Sequence, residues 1–242
     1  MAFIDKNTVM TLLTCIICIY IGWLLGSRLQ KKSNPQGISN SEIERQQIVF
    51  PCVTDDSYDD LVERIQSAKH SIVIFGLTRN FFAKQPLRDM ILDRAQEVDI
   101  KFFMADPECT SRSDRYRVEP TTATYDDVKK YKTEIESEFL KMQNLASQLP
   151  KKKEHARLSF FYYNFPCQTA IERFDESIRV SLYGINKQGR ESPIWVYTPS
   201  DGDIYSFFRT QLDWVETIES GYTNDLLKQR NIKIVPIDKQ KK

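Results

Sequence analysis

The residues that most often carry catalysis or bind metals are few in this chain and lie far apart. It has two histidines: His70 lies between an amphipathic and an apolar segment, and His155 follows a run of lysines. Neither has a histidine, cysteine or carboxylate at the spacing of metal ligands, so both are predicted to be surface residues. The five cysteines are scattered, which indicates neither a zinc site nor a disulfide framework and fits a reducing compartment. We expect no metal ion and no cofactor.

Residues 168–186, with the sequence QTAIERFDESIRVSLYGIN, are the most informative stretch. The chain has no glycine-rich phosphate loop, G-x-S-x-G elbow or zinc-metalloprotease helix, and its eight glycines are not clustered. In residues 168–186, however, an acidic residue, Asp175, precedes a strand-like run, and a glycine and an asparagine follow that run.

This stretch resembles the motif region of the phospholipase D superfamily, in which H-x-K-x4-D is followed by a strand and a glycine-containing turn with a downstream asparagine. Asp175 matches the acidic position, and Asn186 with the nearby glycine loosely matches the turn. Gln168 and Ala170 stand where the family has its nucleophilic histidine and its phosphate-binding lysine. The order of helices and strands over about residues 50–225 is also similar to one half of a phospholipase D.

The resemblance implies a pseudoenzyme, because covalent phosphoryl transfer needs an activated nucleophile and glutamine is not one. In this family the motif strands converge on a phosphate site, and a site that has lost catalysis can still bind. The residues expected to bind a ligand are Arg79, Asp106, Arg173, Asp175, Tyr183 and Asn186. Simpler alternatives exist for two of them: Asp175 begins a turn, and Arg79 is a solvated loop residue.

The function implied by the resemblance is that of a sensor or effector at the cytoplasmic face of a membrane, for example in bacterial signalling or defence. It would bind a phosphate-containing ligand, a protein partner or a nucleic-acid end. One alternative is an active phosphodiesterase, a nuclease or phospholipase with a rearranged site, and another is a structural assembly module. Because family members with one motif commonly pair two units, we expect a homodimer or a larger oligomer. The net charge of +1 gives no indication of wholesale nucleic-acid binding.

The elements that would position these residues alternate along the chain. Apolar residues at helical spacing predict helices that begin near residue 55 and at Pro86, and further helices over residues 128–149 and 205–219. Apolar runs predict strands over residues 71–77, 100–105, 157–165, 178–182, 194–197 and 232–237. The first strand–helix–strand unit predicts a parallel pair. The predicted fold class is α/β, with a mixed β-sheet flanked by helices over residues 50–238.

An apolar segment precedes this domain. Residues 7–27 contain no charged side chain and are about as long as the twenty residues that cross a hydrocarbon core of ~30 Å. A cleaved signal peptide would have a shorter apolar run and a small-residue cleavage site. Arg28, Lys31 and Lys32 follow the segment, so the positive-inside rule places the domain in the cytoplasm. We therefore expect a single-pass transmembrane helix at 7–27 and a juxtamembrane linker with a short helix at 28–49.

Overall fold

The computed structural model describes residues 48–106, 125–184, 189–222 and 224–237. The predicted transmembrane helix at 7–27, nearly all of the predicted linker and Asn186 lie outside these ranges. Within them, no helix combines the length and the apolar character that crossing a bilayer requires.

In the described part of the chain, eight strands form one mixed sheet in the order β1-β7-β6-β5-β2-β3-β4-β8. The strands are β1 Ile48–Phe50, β2 Ser71–Gly76, β3 Asp99–Ala105, β4 Arg157–Tyr163, β5 Thr169–Phe174, β6 Ser177–Leu182, β7 Ile194–Tyr197 and β8 Ile234–Pro236. β2, β3 and β4 are parallel to one another, and every other pair of neighbours is antiparallel. The predicted parallel pair is β2 and β3.

Four of the five helices in the described residues lie at the predicted places, and the last, a short helix, was not predicted. The helices are α1 Asp55–Ser67, α2 Leu87–Arg94, α3 Tyr125–Gln148, α4 Asp203–Glu219 and α5 Asp225–Gln229, with 3₁₀ turns at Asn80–Ala83, Gly189–Glu191 and Pro199–Asp201. Thr54 and Ser57 form a reciprocal capping box at the start of α1, with hydrogen bonds of 3.3 Å and 2.8 Å. Such a cap satisfies two N–H groups that the first helical turn leaves without partners.

The two faces of the sheet carry separate hydrophobic cores because successive strand residues point to opposite faces. In β2, Ile72 and Ile74 contribute to the core formed with α1, α2 and α3, whereas Val73 and Phe75 contribute to the core formed with α4. The first core also contains phenylalanine rings from four elements, in edge-to-face or tilted contact with one another: Phe82, Phe102, Phe139 and Phe160. The domain therefore has three layers, with helices on both faces of the sheet.

The strand directions define two edges of the sheet that matter for function. We call the end at which β2, β3 and β4 finish the carboxyl edge, and the opposite end the amino edge. Because β5 is antiparallel to β2 and β6 is antiparallel to β5, β6 also finishes at the carboxyl edge. Residues that follow β2 and β6 are thereby brought together, although about a hundred residues separate them in the chain.

The prediction of an α/β domain with a mixed sheet flanked by helices is confirmed. The predicted strand at residues 194–197 has the bounds of β7, and the other predicted elements differ from the structure by a few residues at their ends. Two strands of the structure, β1 and β5, were not predicted from the sequence. β5 forms a hairpin with β6, in which Phe174 pairs with Ser177 and Glu172 pairs with Arg179.

Candidate functional site: a cationic cavity at the carboxyl edge

A cavity of about 770 Å³ opens at the carboxyl edge, beyond the ends of β2 and β6. This volume is within the range of about 300–1,000 Å³ that is usual for sites holding small organic molecules. Its walls come from the start of α1, the 3₁₀ turn after β2, the end of β6 and the start of β7. Among the described residues, its charged lining comprises four cations, Arg79, Lys84, Arg179 and Arg190, and one carboxylate, Glu172.

The last residue of β2, Gly76, makes room for the polar side chains of the cavity. A Cβ atom at this position would lie 2.6 Å from Cδ of Arg79 and 2.8 Å from the hydroxyl oxygen of Tyr183. It would also lie 3.4 Å from Cβ of Ala170 on the neighbouring strand β5. The two small residues, Gly76 and Ala170, therefore allow Arg79 and Tyr183 to pack against the sheet itself.

Arg79, like Arg179, is one of the two most buried cations in the described lining of the cavity. Its backbone has a φ of 48°, in the left-handed region, and this turns the chain back over the end of β2. The side chain is 9% exposed and forms an ion pair with Glu172. Its guanidinium carbon lies 4.8 Å from the ring centre of Phe81, within the range of a cation–π contact. Burial lowers the pKa of Arg79, while the neighbouring Tyr183 acts in the opposite direction.

Glu172 and Arg179 connect Arg79 to α1. Nη1 of Arg179 lies 2.8 Å from Oε2 of Glu172, its Nε lies 3.0 Å from Oδ2 of Asp60, and its Nη2 donates to the carbonyl oxygen of Ser57 at 2.8 Å. Asp60 also accepts two hydrogen bonds from the Nε of Arg64 and one from its Nη2. Burial lowers the pKa of Arg179 to about 10, with Asp60 acting in the opposite direction, so Arg179 remains charged at neutral pH.

The resulting cluster contains three guanidinium groups and two carboxylates. The guanidinium groups belong to Arg64, Arg79 and Arg179, and the carboxylates to Asp60 and Glu172. The cluster therefore has one positive charge in excess. Burying unbalanced charge is costly, and an anion bound in the cavity would supply the missing negative charge.

Tyr183 ties the end of β6 to the end of β2. Its hydroxyl oxygen accepts a hydrogen bond from the backbone N–H of Leu77 at 3.0 Å. Burial raises the pKa of Tyr183, so its hydroxyl group is neutral at physiological pH. Of the six residues that the sequence predicts to bind a ligand, the structure places Arg79 and Tyr183 together in the lining of this cavity.

Asp175 lies at the amino edge, in the turn between β5 and β6. Its carboxylate accepts hydrogen bonds from the backbone N–H groups of Lys69, His70 and Ser71 at 2.7, 2.8 and 2.9 Å. Since Ser71 begins β2 and the cavity lies beyond its end, the six residues of the strand separate them by about 20 Å, at about 3.3 Å per residue. The structure thus gives Asp175 the turn role that the sequence left open, and does not bring it to Arg79.

Arg173 points to the opposite face of the sheet from Glu172, as expected for neighbouring residues of one strand. It is 5% exposed, and its Nη1 lies 2.8 Å from Glu216 and 3.4 Å from Asp213, both on α4. The side chain therefore anchors α4 to the sheet and does not line the cavity.

Asp106 follows β3 at the carboxyl edge and is half-buried. Its backbone N–H donates to the carbonyl oxygen of Tyr163 at 2.7 Å. It is not among the residues that line the cavity. Asn186 lies outside the described residues, so its position relative to Tyr183 stays a prediction.

Both histidines of the chain lie at the amino edge. His70 directly precedes β2, and His155 lies two residues before β4. The chain has no other histidine, so within one chain no imidazole reaches the cavity. Among the described residues, no group of three or more histidine, cysteine, aspartate or glutamate side chains is arranged to hold a metal ion.

Two residues of the cavity lining, Glu172 and Arg179, were not predicted from the sequence. One signal could have identified them. Glu172 lies three residues before Asp175, and Arg179 lies three residues after Glu176. The two residues are therefore symmetric about a two-residue turn, as cross-strand partners in a hairpin are. Opposite charges at such paired positions, inside otherwise apolar runs, indicate a buried ion pair. Because the run TAIERF was not recognised as a strand, the pairing was not visible.

No family model and no curated protein matches this chain. Several solved structures are similar to it, among them the following three. TrmBL2, an archaeal chromatin protein whose structure shows a novel mode of DNA binding, is 12% identical, with 88% of this chain and 69% of that chain covered and a TM-score of 0.39. The phosphatidylserine synthase of Haemophilus influenzae Rd KW20 is 14% identical, with coverages of 81% and 40% and a TM-score of 0.46. Nuc, a phospholipase D family member of Salmonella typhimurium, is 11% identical, with coverages of 69% and 96% and a TM-score of 0.34. All three TM-scores are below 0.5, so these similarities do not by themselves assign the chain to a family.

Proposed function

We propose that the described domain is a catalytically degenerate, phospholipase D-like domain that binds a phosphate-containing ligand in the cavity at the carboxyl edge. It acts as a sensor or effector: binding is its function, and turnover is not. The family part of the proposal rests on residues 168–186, where Asp175 and the following strand resemble the family motif and Gln168 and Ala170 replace its histidine and lysine.

The observation that carries the proposal is the excess of buried positive charge in the cavity. Arg79 and Arg179 are 9% and 3% exposed, and Glu172 is the one carboxylate in the described lining. Guanidinium groups match phosphate oxygens in charge and in the geometry of their donors. Buried apolar lining residues such as Leu77 and Leu87 exclude water and so strengthen these contacts.

The separation of the histidines from the cavity supports binding without turnover. A histidine nucleophile or base must lie within hydrogen-bonding distance of the group that it acts on. His70 and His155 lie at the other edge of the sheet, about 20 Å away by the length of a six-residue strand. An active phosphodiesterase with a rearranged site would need another nucleophile.

The test is binding of methyl phenyl phosphate, a small phosphodiester, to the purified full chain. We expect it to raise the melting temperature in a concentration-dependent manner and to release no phenol. Arg79→Asn removes the guanidinium but keeps a residue that tolerates a positive φ. It should weaken binding about tenfold to a hundredfold, since one charge-assisted hydrogen bond contributes about 1.5–3 kcal/mol. Arg88→Asn, on the surface of α2 and outside the cavity lining, is the matched control.

Two results would contradict the proposal. Unchanged affinity of Arg79→Asn, or no stabilisation at any concentration of the probe, would remove the phosphate site and leave the assembly module as the better explanation. Steady release of phenol that depends on Arg79 would instead establish a phosphodiesterase.

We further propose that residues 7–27 anchor the domain to a membrane with the domain in the cytoplasm, and that two copies or more associate. The anchor is supported by the uncharged segment and the basic residues after it. Self-association is supported by the resemblance, because the chain has room for one motif. A monomer mass that is independent of concentration in sedimentation experiments would contradict the second part.

A further inference from the structure

Glu172 holds two different arginines with its two carboxylate oxygens. Oε1 contacts Nη2 of Arg79, and Oε2 lies 2.8 Å from Nη1 of Arg179. The side chain is 8% exposed and lines the cavity beside Arg79. An anion that approaches Arg79 through the cavity therefore meets a carboxylate that is already bound to the same guanidinium group.

The two arginines differ in how firmly they are held. Arg179 has Asp60, Glu172 and the carbonyl oxygen of Ser57 around its guanidinium group. Among the ion pairs of the described residues, Arg79 has Glu172 as its carboxylate partner, and it also forms a hydrogen bond with Tyr183. If a ligand takes the place of Glu172 on Arg79, Glu172 still keeps Arg179. Replacement of Glu172 by the ligand at Arg79 therefore leaves no buried carboxylate without a partner, so the free-energy cost of this exchange is low.

The charge of the cluster limits what can bind there. With Glu172 present, the three guanidinium groups exceed the two carboxylates by one charge. A ligand group with one negative charge neutralises this excess. Lys84 and Arg190, the other two cations of the lining, are exposed, so water screens their charges. The second charge of a doubly charged group therefore meets no further buried cation among the described lining residues, and such a charge is costly to remove from water.

We infer that Glu172 competes with a bound anion for the guanidinium group of Arg79. This competition makes the cavity favour groups with a single negative charge, such as a phosphodiester. The inference rests on the proposed function. It gives a role to Glu172, which stands at none of the histidine, lysine and aspartate positions of the family motif. It predicts that removal of the charge of Glu172 strengthens anion binding in general and strengthens the binding of doubly charged groups most.

The experiment compares two probes that share one aromatic ring. At pH 8, methyl phenyl phosphate carries one negative charge, and phenyl phosphate, whose second pKa is about 6, carries two. Calorimetric titration of the full chain should show tighter binding of the singly charged probe. In Glu172→Gln, whose amide oxygen can still accept from Arg179, both probes should bind more tightly. The gain should be about tenfold or more for phenyl phosphate and smaller for the diester, so the preference is lost or reversed.

Two controls separate charge from shape and from general surface effects. Glu172→Asp keeps the charge and should keep the preference for the diester. Glu176→Gln removes the same charge from the β5–β6 turn, where the side chain is 72% exposed, and should bind like the unaltered protein. If Glu172→Gln does not fold, the preference of the unaltered protein and of Glu172→Asp still decides the question.

The outcomes distinguish this inference from the proposed function. Binding of neither probe by the unaltered protein contradicts both. Tighter binding of phenyl phosphate by the unaltered protein, or weaker binding of both probes by a folded Glu172→Gln, contradicts the competitor role and leaves the phosphate site intact.

Discussion

Asp175 connects two parts of the chain that are about a hundred residues apart. Its carboxylate accepts hydrogen bonds from the backbone N–H groups of Lys69, His70 and Ser71. Its own N–H donates to the carbonyl oxygen of Ser71 at 3.0 Å. The backbone at Asp175 has a φ of 50°, which aspartate and asparagine tolerate better than most residues. Burial acts to raise the pKa of Asp175, but the three N–H donors outweigh it and hold the pKa below its ordinary value.

Substitutions of Asp175 are therefore expected to change stability and not ligand binding. Asp175→Ala should lower the free energy of unfolding by about 2–3 kcal/mol, because it removes charge-assisted hydrogen bonds and places alanine at a positive φ. Asp175→Asn, which keeps one acceptor and tolerates the backbone, should cost less. Urea unfolding measures both, with Glu176→Gln in the same turn as the control. Loss of binding by a folded Asp175→Asn would return this residue to the ligand site.

The lowered pKa of Asp175 also predicts how stability changes with pH. A carboxyl group with a lower pKa in the folded state binds fewer protons there than in the unfolded chain. Its stabilisation is complete above the ordinary pKa of 3.8 and is lost as the pH falls through the folded value. Asp175→Asn should therefore lose less stability than the unaltered protein between about pH 4 and pH 2.

At the scale of elements, partly buried ion pairs join α4 to the sheet beside its apolar contacts. Arg173 on β5 meets Glu216, and Lys101 on β3 meets Glu219 at 2.8 Å. The two partners of the first pair are unequal, because Arg173 is 7% exposed as a side chain and Glu216 is 24% exposed. A carboxylate left alone at Glu216 can be hydrated, whereas a guanidinium left alone at Arg173 cannot.

This difference in exposure predicts that loss of Glu216 and loss of Arg173 change the free energy of unfolding by different amounts. Glu216→Ala should cost about 2–3 kcal/mol of unfolding free energy, since it leaves Arg173 buried with the more distant Asp213 as its partner. Arg173→Met should cost about 1 kcal/mol, because an apolar side chain replaces the buried cation. Urea unfolding of both variants checks the order, with Asp213→Ala as a control expected to cost under about 1 kcal/mol. A larger loss for Arg173→Met would mean that Glu216 is not accessible to water.

At the scale of the whole molecule, the proposed anchor and its orientation can be tested through native cysteines. In intact cells that express the full chain, a membrane-impermeant maleimide should leave Cys52 and Cys167 unmodified, because the proposed orientation places the domain in the cytoplasm. Both side chains are half-buried, so permeabilised cells should show labelling. Ala2→Cys, ahead of the segment at 7–27, should be labelled in intact cells. Rapid labelling of Cys52 before permeabilisation would reverse the orientation.

The sequence by itself determined the class of the fold and most of its elements, because periodicity is a local property. Tyr58, Leu61 and Ile65 recur at helical spacing, and residues 71–77 form a continuous apolar run, so α1 and β2 could be predicted within a few residues. β5 could not, since Glu172 and Arg173 interrupt its apolar residues. Glu172 is buried against Arg79, and Arg173 against Glu216, both far away in the chain, and a local pattern contains no information about these partners. Arg179 lies close by in the chain, but its pairing with Glu172 is visible only once β5 is recognised as a strand.

Only the tertiary structure decided which of the predicted site residues meet. Arg79, Asp175 and Tyr183 are similar in the sequence, since each is a polar residue beside a strand. The antiparallel order β2-β5-β6 brings Tyr183 to Arg79 and carries Asp175 to the other end of the same strands. Because successive side chains of a strand point to opposite faces of the sheet, Glu172 on β5 faces the cavity and Arg173 faces α4. Position across a sheet depends on strand direction and pairing, which are set by long-range contacts and not by the residues near each strand.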